Sequence, residues 1–247
     1  MLHTIAHGSI IELRLARPPV NALNPALVQV LDEAIRAAPE RGAQGVILSG
    51  SPGLFTAGLD LPELLQLDRD GMRAAWQGLF GVMASIARSP VPLVAAITGH
   101  SPAGGAVLAL FADLRIMAAG DFKIGLNEVA VGIPLPGLIY RALRRLVGAR
   151  HADRLGMSGA LVDAQEALVV GLVDELAPPD MVVERALERV RALLALPRHA
   201  MLPTRALARR DLVALFDEED GTTLEATLDS WFAAHTQATL RNVVEGL

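Results

Sequence analysis

Between Val91 and Ala112 the chain carries no charged residue, yet glycines and a proline interrupt the run, and that combination leaves few folds open. Val91 to Thr98 is short, aliphatic and bounded by prolines before it and Gly99 after it, the pattern of a fully buried strand. Gly99, Pro102, Gly104 and Gly105 supply a turn, and Ala103 to Ala112 holds small or straight-chain helix formers, so a helix starts near Gly104. A membrane span is excluded, because His100, Ser101 and Pro102 divide the run into two pieces too short to cross a bilayer. Two glycines at a helix start let another group approach the backbone, where free N–H groups carry the positive end of the helix dipole. Such a turn suits an anion or an oxyanion.

Two other readings compete for the same turn. Gly99-His100-Ser101-Pro102-Ala103, after a strand and before a helix, is close to a nucleophile elbow with Ser101 as the nucleophile of a serine hydrolase. That elbow uses the N–H of the residue after the serine, and here the residue is Pro102, which has none. In the other reading the glycines serve only a tight turn and close strand-helix packing.

The chain of 247 residues is long enough for one large core, and 52% hydrophobic with 4% aromatic residues makes that core aliphatic. Zero cysteines exclude disulfides, thiolate metal sites and cysteine nucleophiles, and fit a reducing compartment. The first residues, MLHTIAHGSIIELRLA, lack the basic and apolar regions of a secretory signal, so a cytoplasmic location is expected. A net charge of -5 and a pI near 5.7 argue against nucleic-acid binding. The six histidines show no metal-ligand spacing, and no phosphate loop or dinucleotide fingerprint is present.

In chain order, Ser9 to Ala16 reads as a strand, and Asn24-Pro25 as an N-cap and first helical residue. The helix that follows runs to about Ala38 with Leu27, Val30, Leu31 and Ile35 on one face. Gly45 to Ser49 is a second buried strand, followed by a second small-residue loop through Phe55-Thr56-Ala57-Gly58-Leu59-Asp60. This recurrence predicts a repeated strand-strand-helix unit. Met72 to Arg88 has helical spacing in Trp76, Leu79, Phe80, Met83 and Ile86, a stripe that reads as core. Leu114 to Met117, Phe122 to Ile124 and Gly171 to Glu175 are predicted strands. Asp163-Ala164-Gln165-Glu166 is a variant capping box, and Pro178-Pro179-Asp180 opens a long helix to about Ala195. Beyond Pro197 the pattern is helical and more charged.

Taken together, Phe55-Thr56-Ala57-Gly58-Leu59-Asp60, Pro102-Ala103-Gly104-Gly105, Gly125-Leu126-Asn127-Glu128 and the stretch from Glu166 to Glu175 resemble the crotonase superfamily of enoyl-CoA hydratases and isomerases. The resemblance implies an α/β fold, a spiral of strand-strand-helix units over residues 1–196 with a C-terminal helical region, 197–247, that helps form trimers or hexamers. It implies an acyl-CoA thioester as substrate, with coenzyme A entering as part of it, no separate cofactor and no metal. Matched by motif, the N–H groups of Leu59 and Gly104 are the pair that polarises the thioester carbonyl, and Ala57, Asp60 and Leu61 touch the CoA. Asp60 reads equally well as a helix N-cap.

Hydratases of this family use two glutamates; the first position falls on Val107 and only the second survives, as Glu128. Adding water needs one group to activate it and one to manage a second proton, whereas one carboxylate can move a proton from C2 to C4. Gly125-Leu126-Asn127-Glu128 with Val107 resembles the Δ3,Δ2-enoyl-CoA isomerase branch, so isomerisation is the leading expectation. A hydratase, a thioester hydrolase, the Ser101 hydrolase and a non-catalytic acyl-CoA-binding protein are the alternatives. Without the resemblance Glu128 reads as a solvated loop acid; with Val129, Val131 and Ile133 beside it, an apolar pocket would raise its pKa. Arg141, Arg144, Arg145, Arg150 and Arg154 read as a solvated helix face or a grip on CoA phosphates, and Asp113 with Arg115 as structural.

Overall fold

The computed structural model describes residues 1–218 and 221–246. A six-stranded sheet begins with β1 (Leu2–His7) antiparallel to β2 (Ile10–Leu15). It continues in parallel through β3 (Gly45–Ser49), β5 (Leu93–Ile97), β7 (Leu114–Ala118) and β10 (Glu175–Ala177). A smaller, four-stranded sheet holds β4 (Gly53–Leu54), β6 (Gly99–Pro102), β8 (Lys123–Gly125) and β9 (Val162–Asp163). Each turn of the chain thus lays one strand in the large sheet and the next in the small one, so β3-β4, β5-β6 and β7-β8 stack as rungs. This is the repeated unit that the two small-residue loops predicted.

Local chemistry sets the helices between rungs. Asn24 accepts from the Leu27 N–H at 2.9 Å and Pro25 occupies the first position of α1 (Pro25–Glu40). Val30 stands 40% exposed and does not join the buried face, which Val28 completes with Leu27, Leu31 and Ile35. Asp60 caps the single turn α2 (Leu61–Leu64), and Asp68 caps α3 (Arg69–Arg88), whose Trp76, Leu79, Met83 and Ile86 are buried. α4 (Gly104–Leu110) is buried along its whole length, as an uncharged helix must be.

Gly99 to Pro102 is extended where a simple turn was expected. A Cβ on Gly99 would lie 1.9 Å from the Gly53 carbonyl carbon, so only glycine lets the rungs come together there. Gly171 to Asp174 is likewise not strand: the Leu172 and Val173 N–H groups both return to the Ala167 carbonyl, closing α6 (Ala164–Val169), and pairing begins at Glu175.

The remaining helices are α5 (Gly137–Ser158, broken at Gly148), α7 (Val182–Leu194), α8 (Arg198–Ala208), α9 (Arg210–Asp217), α10 (Thr222–Trp231) and α11 (Ala234–Glu245). Asp113 and Arg115 are structural, but their carboxylate and guanidinium do not pair: Arg115 donates to the Asp113 backbone carbonyl at 3.3 Å and pairs with Asp174 at 2.8 Å. The Asp113 carboxylate receives Arg205 at 2.8 Å and Arg209 at 3.1 Å, tying α8 and its junction with α9 to the start of β5. Among the described residues no helix is long and apolar enough to cross a membrane.

Candidate active site

A cleft of about 480 Å³ opens between the Arg17–Ala22 turn, the loop through Leu59, the start of α4 and the loop after β8. Ala57, Leu59, Asp60, Leu61, Gly104, Val107 and Glu128, the residues singled out in the sequence, all line it. Its lining is mixed: Arg17 and Asp60 are charged and pair with each other, whereas Trp76, Leu79, Val107, Val131, Ile133 and Ile139 are apolar. Trp76 and Leu79 belong to the stripe read as core; they are both core and cleft wall, because α3 packs against α1 and α4 and turns the same stripe to the cleft.

The Leu59 loop is fixed by its neighbours' backbone. Leu23 N–H donates to the Gly58 carbonyl at 2.7 Å and Asp60 N–H to the Leu23 carbonyl at 3.1 Å. Ala57 N–H reaches the Val20 carbonyl, and Gly58 N–H the Thr56 hydroxyl at 3.1 Å. Every N–H around Leu59 is therefore taken, and that of Leu59 itself makes no hydrogen bond among the described residues. Asp60 accepts from the Glu63 N–H and pairs with Arg17 at 2.7 Å, so it caps α2 and faces the cleft at once.

The Gly104 N–H comes from the other wall. It opens α4, so no carbonyl of the helix can receive it. Ala103, just before, has φ 45° and ψ -116°, a conformation L residues avoid, and its own N–H is held by the Gly125 carbonyl at 2.8 Å. Since ψ of Ala103 sets the plane of the next peptide, the strained residue aims the Gly104 N–H. The two loops abut: a Cβ on Gly58 would stand 3.3 Å from the Gly104 nitrogen. Two unspent donors thus face one cleft, an arrangement suited to an oxygen that gains negative charge.

Glu128 follows β8 and leads into the single 3-10 turn Val129–Val131. It is 7% exposed, and its Oε2 has no hydrogen-bond partner among the described residues. Burial pushes its pKa up to about 7, against a smaller lowering by its own backbone N–H. It is therefore no solvated loop acid: near neutral pH it both gives and takes a proton. Val107, 1% exposed, offers no second carboxyl across the cleft.

The serine hydrolase reading fails here. Ser101 is fully buried in β6, does not line the cleft, and its Oγ lacks any base or other hydrogen-bond partner among the described residues. His100 is turned elsewhere, with Nδ1 accepting from the Lys123 N–H. The arginine cluster of α5 stays off the cleft: Arg141 pairs with Glu218, Arg145 with Asp211 and Arg154 with Glu166, each at 2.8 to 3.0 Å. Among the described residues no cluster of His, Asp and Glu could hold a metal ion. Asn127, inside the motif that ends in Glu128 but given no role there, and Val243 also line the cleft, and no sequence signal marked Val243 for it.

The sequence profile of the Enoyl-CoA hydratase/isomerase family matches residues 6–239. A probable enoyl-CoA hydratase, echA17, of Mycobacterium avium is 39% identical over 198 residues, covering 78% of this chain and 76% of that protein. The human mitochondrial enoyl-CoA delta isomerase 1 is 34% identical over 208 residues, covering 83% of this chain and 69% of that protein. The crystal structure of human mitochondrial delta3-delta2-enoyl-CoA isomerase superposes with a TM-score of 0.93 at 29% identity, over 99% of this chain and 96% of that one.

Proposed function

The chain belongs to the enoyl-CoA hydratase/isomerase family, with the crotonase fold, and from that membership we propose that it shifts the double bond of an enoyl-CoA from C3 to C2. The observation that carries this reading is a single unpaired acid, Glu128, in an apolar pocket faced by Val107. The thioester carbonyl sits against the Leu59 and Gly104 N–H groups. Glu128 as carboxylate takes a proton from C2; the C2–H electron pair forms a C1–C2 double bond, the carbonyl pair moves onto the thioester oxygen, and the C3–C4 double bond conjugates with the result. The two donors hold that dienolate oxygen, and preorganised donors of this kind are worth about 10²- to 10³-fold each. The carbonyl then re-forms, the C1–C2 pair shifts to make the C2–C3 double bond, and the C3–C4 pair takes the proton back from the now neutral Glu128 at C4.

The two proton transfers occur on one substrate through one group, so a pKa near neutrality serves both. Coenzyme A arrives as part of the substrate, with Ala57, Asp60 and Leu61 at the CoA side of the cleft. In this reading the region 197–247, which carries α8 to α11, joins protomers into trimers or hexamers, and the protein works in the cytoplasm. Hydration of 2-enoyl-CoA is the second reading, favoured by the relative named a probable hydratase. Parallel incubations with a 3-enoyl-CoA and a 2-enoyl-CoA separate them. The isomerase reading predicts that the 3-enoyl-CoA is converted to the conjugated 2-enoyl isomer, seen as a gain of enoyl absorbance at unchanged mass; a protein that leaves 3-enoyl-CoA unconverted and adds one water to 2-enoyl-CoA overturns it.

A further inference from the structure

The loop that carries the Leu59 N–H is docked on the turn from Arg17 to Leu23, and Asn21 is the centre of that docking. Asn21 is 2% exposed and does not itself line the cleft, yet each of its polar groups is engaged. Its backbone N–H donates to the Arg17 carbonyl at 2.7 Å and its Oδ1 accepts the Arg17 N–H at 2.9 Å, closing the turn on itself. Its Nδ2 donates to the Phe55 carbonyl at 3.1 Å and to the Ser51 hydroxyl at 3.2 Å, and its carbonyl accepts from the Thr56 hydroxyl at 2.7 Å. The Thr56 oxygen in turn receives the Gly58 N–H at 3.1 Å. A run of hydrogen bonds therefore leads from Asn21 to the residue before Leu59. Asn21 has φ 51°, in the left-handed region that asparagine enters more readily than most residues with a side chain.

Resting on the acyl-CoA reading of the cleft, we propose that Asn21 is a positioning residue that holds the Leu59 peptide in the orientation in which its N–H polarises the thioester carbonyl. The Gly58 carbonyl and the Leu59 N–H belong to one trans peptide and point opposite ways. Seating that carbonyl on the Leu23 N–H at 2.7 Å thus turns the Leu59 N–H away from the turn, and the geometry holds only while turn and loop stay docked. Asparagine meets both demands of the position, a left-handed backbone and two donors for the facing loop. Glycine would meet the first alone. An oxyanion donor has to stand about 3 Å from the oxygen it serves, and a displacement of about 1 Å can cost about 10²-fold in rate.

The test is infrared difference spectroscopy of butyryl-CoA, isotopically labelled at the thioester carbon, bound to the parent, Asn21→Gly and Glu128→Gln, together with kcat and KM for a 3-enoyl-CoA. Hydrogen bonds onto a carbonyl lower its stretching frequency, so the parent band should lie below that of the free ligand. Asn21→Gly keeps the backbone conformation accessible and loses the side-chain bonds. Its band should move back toward the free value and its kcat should fall by about 10²-fold with KM little changed. Glu128→Gln should keep the parental band. Should Asn21→Gly fail to fold by circular dichroism, Thr56→Val and Thr56→Ser take its place: valine drops the hydroxyl between Asn21 and Gly58 and should repeat the loss, whereas serine keeps it and should preserve the parental band. A parental band in folded Asn21→Gly, or in Thr56→Val, overturns the role of Asn21 and leaves the acyl-CoA reading standing. A parent that binds no butyryl-CoA, or binds it without lowering the band, overturns that reading and the proposal with it.

Discussion

The Arg17 guanidinium stands 2.7 Å from the Asp60 carboxylate, so of the two acids that line the cleft one is neutralised and the other, Glu128, is not. Burial without a partner favours the neutral form of an acid. The same cleft therefore holds one carboxylate engaged in an ion pair and one poised near neutrality. Only the second is equipped to move protons.

Glu128→Gln keeps the size of the side chain and removes the base. Turnover of 3-enoyl-CoA should fall by about 10²- to 10⁴-fold while acyl-CoA affinity, measured by calorimetry, changes little. In the parent, kcat/KM should rise with pH through about 7 as the carboxylate forms. A variant with parental rate would show that another group is the base.

The raised pKa also carries a stability cost with a definite sign. Below about 4.5 the acid is neutral in both folded and unfolded chains and costs nothing. Between about 4.5 and 7 the unfolded chain gives up its proton first, so stability falls as pH rises, and above 7 the full cost is present. Glu128→Gln should thus match the parent in urea unfolding at pH 4 and exceed it by about 1–3 kcal/mol at pH 8. Equal stability at both pH values would contradict the buried, unpartnered acid.

Gly104→Pro deletes the proposed donor at the first position of α4, where the added Cβ comes within 2.8 Å of the end of the Leu23 side chain and that side chain must shift; it should cost about 10²- to 10³-fold in rate, with folding checked by circular dichroism. Ser101→Ala removes a buried hydroxyl that has no partner, so activity should stay within about twofold and stability should not fall. An inactive but folded Ser101→Ala protein would restore the serine to the chemistry.

Val107→Glu supplies an acid where hydratases of the family carry their first one. A small gain of 2-enoyl-CoA hydration should appear, followed as loss of enoyl absorbance with formation of the 3-hydroxy product. Val107 is 1% exposed, so the new carboxylate is desolvated and raises the pKa of one of the pair, at a cost of a few kcal/mol in stability. A folded variant with no hydration at all would mean that the missing acid is not what separates the two reactions.

Much of the fold was legible where local physics was strong. Asn24-Pro25 announced α1, and the uncharged run from Val91 announced β5 and α4. β6 was missed because glycine and proline favour turns locally, while its pairing comes from rungs brought together by the whole spiral. The helix start at Gly104 was legible locally as a place for an oxyanion, but Leu59 as its partner only through motif resemblance, since both contribute backbone N–H groups that any residue but proline would carry. The pocket around Glu128 was anticipated in part from Val131 and Ile133 nearby in sequence. Trp76, from another rung, and Val243, from the far end of the chain, were beyond local reading because tertiary packing alone brings them there.

The central claim is that one acid opposite a hydrocarbon wall makes this an isomerase. It is tested most directly by measuring, on one preparation, kcat/KM for isomerisation of a 3-enoyl-CoA and for hydration of the 2-enoyl-CoA of equal length. The account predicts isomerisation faster by at least about 10²-fold, the usual worth of a missing acid-base group. Hydration as fast as isomerisation would contradict it.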